Sequence, residues 1–133
     1  MLRTRAGRRV AAGIAGLGLA AALYVPPAFA HRSVTPTLVG NSKAGKAVFA
    51  TTCAACHTLK AAGAVGNIGP NLDKVGPTLT QALLIKAITN GGSSIMTKAA
   101  LAKYQTQMTP YKYLGTKTIQ NISRFVYEST HKM

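Results

Sequence analysis

TTCAACHTLK, residues 51–60, holds both cysteines of the 133-residue chain, Cys53 and Cys56, with His57 directly after the second. A disulfide between the two would close a very small loop and remove little unfolded-chain entropy. A thiol–disulfide redox pair of the same spacing belongs in a strand–helix–strand setting, and no convincing strand pattern lies on either side. A structural zinc site takes four ligands, whereas the other histidines are His31 and His131, far off along the chain.

Outward towards the amino end, MLRTRAGRR carries four arginines and is followed by the uncharged run VAAGIAGLGLAAALYV and then PPAFA. A basic start, a short apolar run and a small-x-small site read as a secretory signal over residues 1–30, cleaved after Ala30. The alternative is a retained membrane anchor, which would want about 20 apolar residues. Residues 31–133 keep twelve lysines and arginines against two acids, Asp73 and Glu128, a net charge of +10. The cations are scattered singly rather than in runs, so nucleic acid is not the expected partner. Acidic docking faces on other proteins and an anionic membrane surface are the partners such a charge attracts. Strongly acidic surroundings would also disfavour carboxylates, which are protonated there.

Four segments behind the leader have helical character. Residues 31–41 form a flexible lead-in. Ser42 caps a helix running to about Thr52, with Ala44, Val48, Phe49 and Thr52 on one side. Residues 58–77 are rich in Gly, Pro and Asn and read as loop. Leu79–Asn90 is helical, with Leu83 paired to Ala87 and Leu84 to Ile88, and Gly91-Gly92 stops it. MTKAALAK is a short helix, and TKTIQNISRFVYEST closes the chain with Ile119, Ile122 and Val126 on one face. The class is all-α, about four helices with long loops in a single domain over residues 42–133. So small a helical domain is short of core by itself, and a large apolar cofactor would fill its middle.

C-x-x-C-H is the attachment signal of c-type haem. Two thiols three positions apart can bond the two vinyl groups of one porphyrin edge, and the histidine that follows is then placed at the iron. One covalent haem c, held by Cys53 and Cys56 with His57 as iron ligand, is the reading this spacing favours.

GKAVFATTCAACH, residues 45–57, resembles the first helix and haem site of class I cytochromes c, the small monohaem cytochromes of the c6 and c551 kind. Their pattern of a glycine, an aromatic four positions on, then C-x-x-C-H falls on Gly45, Phe49, Cys53, Cys56 and His57. GPNL at residues 69–72 is similar to the family's following loop, which implies that the Pro70 carbonyl accepts a hydrogen bond from the second ring nitrogen of His57. ISRFVYES is similar to the last helix of the family, implying that Ile122 and Phe125 cross the first helix near Gly45 and Phe49. The resemblance spans roughly residues 42–130.

It also implies a methionine as sixth iron ligand. MTPYKYLGTKTI resembles the family's ligand loop, which points to Met108; Thr109 stands between it and Pro110, where the family most often has the two adjacent. Met96, after the Gly-rich NGGSSI, is the alternative. With His and Met ligation the iron has no open position, so the function implied is a soluble, exported (periplasmic) one-electron carrier between respiratory or photosynthetic partners, monomeric and not an enzyme. Two alternatives are a haem subunit of a larger oxidoreductase and a sensor or peroxidase with an open sixth site. Tyr104, Tyr111, Tyr113 and Tyr127 are expected around the haem or its loop with hydroxyls outward, Asn71 or one of these tyrosines near its propionates, and Lys60, Lys74, Lys86, Lys98, Lys103 and Lys112 around its edge. His31 and His131 are expected to be solvated.

Overall fold

The computed structural model describes residues 37–131. The signal segment over residues 1–30, His31 and the start of the lead-in lie outside the described residues. Within them are five α-helices: α1 (Ser42–Thr52), α2 (Leu72–Val75), α3 (Gln81–Asn90), α4 (Lys98–Leu101) and α5 (Thr116–His131). No helix among the described residues is long and apolar enough to cross a membrane.

The all-α class holds, with local corrections. Asn41, rather than Ser42, caps α1, its side chain accepting from the Ala44 N–H at 2.9 Å. The extra helix, α2, sits inside the segment read as loop. Asn71 caps it by accepting from the Asp73 N–H, and Asp73 places a negative charge in its first turn. The same carboxylate accepts the backbone N–H of Lys60 at 2.9 and 3.2 Å, tying the two ends of that segment together. A two-residue strand pair is also present where none was expected: β1 (Thr58–Leu59) runs antiparallel to β2 (Ala64–Val65), with Thr58 opposite Val65. The turn between them passes through Gly63 at φ 64°, the left-handed region that glycine tolerates. Leu79 is extended, so α3 starts two residues later than expected, capped by the Thr80 side chain.

The core forms where α1, α3 and α5 meet. Leu84, Ala87 and Ile88 of α3 are buried, whereas Leu83, expected to share that face, is 37% exposed. Ile119, Ile122, Phe125 and Val126 of α5 are buried as their spacing implies. Phe49 meets Phe125 edge-on, ring centroids 5.7 Å apart at 64°, an arrangement aromatic rings prefer. Beside them Gly45 brings the backbones of α1 and α5 together, because a side chain there would overlap the Asn121 carbonyl.

The lead-in is not free where the structure describes it. The Gln81 side chain accepts from the Val39 N–H at 2.9 Å and donates to the Val39 carbonyl, and donates also to Ser123 Oγ. Asn121 accepts from the Asn41 N–H at 2.7 Å, and Arg124, paired with Glu128, donates to the Leu38 carbonyl at 2.8 Å. Residues 38–41 are thereby a strap held on α3 and α5. Exchanging Gln81 for methionine, which keeps the volume and removes the polar atoms, is expected to cost about 1–2 kcal/mol. Hydrogen exchange checks it: the Val39 amide should lose its protection while the α5 core amides keep theirs, and an unchanged Val39 would refute the clamp.

Candidate functional site

The end of α1 delivers three functional side chains together. Cys53 donates its backbone N–H to the Phe49 carbonyl at 2.8 Å, and His57 donates to the Cys53 carbonyl at 3.0 Å, so helix-like hydrogen bonding continues past Thr52. That turn sets Cys53, Cys56 and His57 on the wall of a cavity of about 490 Å³, within the usual size of a ligand site. Leu84 and Ile88 of α3 and Ile122 and Val126 of α5 line it too, so the apolar faces of both helices look into it as well as into the core. Its remaining walls come from residues 68–79 and from the loops on either side of α4.

No disulfide joins the two cysteines. Burial, with Cys56 adding, raises the Cys53 thiol to about 11. His57 Nδ1 donates to the Pro70 carbonyl at 2.9 Å, a carbonyl being only an acceptor. The ring is thereby held in the tautomer whose Nε2 carries the lone pair a metal uses. Gly69 packs against the same ring: a Cβ there would lie 2.6 Å from His57 Cε1, so only glycine leaves the imidazole where it is.

Met96 and Met108 both line the cavity, so the two sequence candidates stand in one place. They differ in support. Met108 packs against the hydrophobic core, its carbonyl accepts the Gly92 N–H at 3.2 Å, and the nearby Tyr111 N–H donates to the Ile88 carbonyl at 2.8 Å. Gly91, at φ 88°, has room only for hydrogen beneath the Met108 carbonyl. The sequence marks Gly91-Gly92 as a helix stop and as the Gly-rich turn ahead of Met96; in the structure the pair is instead the seat of the Met108 loop. The cue was the pairing of two glycines where one ends a helix.

The tyrosines divide. Tyr104 and Tyr111 line the cavity. Burial, with smaller contributions from Cys53, Tyr113 and Cys56, holds the Tyr111 phenol above its ordinary range. Tyr113 is 74% exposed. Tyr127 stacks on His131, centroids 3.9 Å apart, and does not line the cavity, so Tyr127 is not placed as expected. Asn71, a candidate for the propionates, is engaged through its Oδ1 in capping α2. All six lysines expected around the edge are exposed.

Among the described residues no three His, Cys, Asp or Glu side chains cluster so as to hold a metal ion by themselves. The donor set fits a metal carried by a flat apolar group: two thiols and an imidazole at the end of α1, two methionine thioethers lining the same cavity, and a largely hydrocarbon lining. A family model described as Cytochrome c matches residues 42–129. No curated protein matches the chain.

Proposed function

The chain belongs to the cytochrome c family, and from that membership we propose that it is an exported, monomeric carrier that takes one electron from a redox partner and gives it to another. The family binds haem c covalently and transfers electrons, and its members generally carry electrons rather than catalyse reactions. When bound, the haem supplies an iron that changes between ferric and ferrous by one electron. This chain's residues do the rest. Cys53 and Cys56 would tether the group, His57, its ring fixed by Pro70 and Gly69, would ligate the iron, and Met108 would supply a second protein ligand. The apolar walls from α3 and α5 exclude water, which limits solvent reorganisation around the changing charge.

The observation that carries this reading is the convergence of Cys53, Cys56, His57 and Met108 on one apolar cavity. Residues 1–30 direct export to the periplasm and are removed. The net charge of +10 over residues 31–133 draws the carrier towards acidic faces of its partners and, more weakly, to anionic membrane surfaces.

The purified holoprotein is expected to keep its haem colour through denaturing electrophoresis, to titrate as a single one-electron couple, and to bind no carbon monoxide when ferrous. Its electron exchange with an acidic protein should slow as salt is raised, since screening becomes effective beyond about 10 Å at 0.1 M. Rapid carbon monoxide binding would overturn the carrier, and a rate indifferent to salt would overturn electrostatic docking.

A further inference from the structure

Tyr113 is the most exposed aromatic side chain among the described residues, 74% exposed on the turn Lys112–Leu114. That turn is held rather than loose. Tyr111 N–H is bonded to Ile88 of α3, Leu114 N–H donates to the Tyr111 carbonyl at 3.0 Å, and Gly115 N–H donates to that of Lys112. Behind Tyr113 stands Tyr111, centroids 5.7 Å apart and planes 37° apart, and Tyr111 is itself part of the cavity wall. One ring therefore separates the exposed tyrosine from the space the cofactor fills. Lys112 and Lys117 are exposed on the same stretch of chain, while Asp73 and Glu128 are both engaged elsewhere, with Lys60 and Arg124.

An exposed aromatic on a rigid turn costs little entropy to bury, and tyrosine is enriched among residues that dominate protein–protein binding. Its neighbouring lysines choose the sign of the partner. We propose that Tyr113, backed by Tyr111 and flanked by Lys112 and Lys117, is the aromatic anchor of a docking site for an acidic redox protein. The inference rests on the carrier reading above and adds to it the point of contact. A membrane surface suits the patch less well, because the lysines are isolated and a single ring supplies little apolar area.

The test uses the ¹⁵N-labelled ferric holoprotein with oxidised flavodoxin, an acidic flavoprotein, as probe. Amide shifts are expected to move at residues 111–114, and Tyr113→Ala is expected to raise the dissociation constant about tenfold, as truncation of a modest binding hot spot does. Tyr113→Phe should bind like the parent. The reduction potential and the rate with ferricyanide should be unchanged in both variants, and the unaltered absorption spectrum confirms that they fold. Shifts that avoid residues 111–114, or an alanine variant that binds as tightly as the parent, overturn the site. Phosphatidylserine vesicles that move these amides when flavodoxin does not would assign the patch to membrane instead and overturn it too. Failure of the carrier reading shows separately, as a protein without covalent haem or without a one-electron couple.

Discussion

Gly45→Ala is expected to destabilise the holoprotein by about 3 kcal/mol or more, the upper end of what overpacking costs. The added methyl would overlap the carbonyl oxygen of Asn121, and the carbonyl carbon behind it. Those atoms are backbone, so no rotamer change relieves the overlap. The helices must part instead, and α1 cannot move away from α5 without drawing Phe49, 1% exposed, away from Phe125. The displaced end of α1 also carries Cys53 and His57, so the damage reaches the cofactor. Denaturant unfolding followed at the haem absorption band measures the loss, and trimming Asn121 to alanine should not restore it, since the backbone obstacle remains. A variant within about 0.5 kcal/mol of the parent, the range of neutral surface changes, would show that the crossing is looser than described.

Met108→Leu should remove the sulfur-to-iron charge-transfer band in the far red and lower the reduction potential by on the order of 0.2 V, out of the about 0.8 V that axial ligands command in haem proteins. Soft thioether sulfur favours ferrous iron, so its loss favours ferric. Leucine nearly preserves volume, and the stability change should stay under about 1.5 kcal/mol after allowing for the lost bond. Met96→Leu should leave band and potential as they were, because Met96 lacks the core packing and the Gly92 hydrogen bond that hold Met108. Loss of the band in Met96→Leu with its survival in Met108→Leu would reverse the assignment.

What could be read from residue order follows the range of the interactions concerned. The C-x-x-C-H segment and the glycine–aromatic spacing before it were legible because one helix and the turn that continues it fix all five positions relative to each other. The crossing of α1 and α5 was legible through the family resemblance, and the buried face of α5 through its own period. The strap was not: Val39 is held by Gln81 and Leu38 by Arg124, partners 42 and 86 residues away, and nothing in TLVGN announces them. The cap of α1 depended on the same distant contacts, since Asn41 and Ser42 are both good caps and the Asn121 side chain fixes the Asn41 backbone. α2 was hidden because Gly and Pro on both sides outweighed a four-residue helix whose cap and first-turn acid are local but brief. Tyr127 was misplaced for a different reason: helix rotation decides which way its ring faces, and its spacing from the ligand loop does not.

The strap has a practical consequence. It reaches α1 over Ala82 and Ile85 of α3 and Tyr127 of α5, residues that take no part in the cavity wall. Anything joined ahead of Thr37, whether an affinity handle, a dye or a second protein, is thus led onto the domain away from Cys53, His57 and Met108. Grafting at that end is the way to fix this molecule to a surface or string it to an enzyme while its redox centre stays open to exchange.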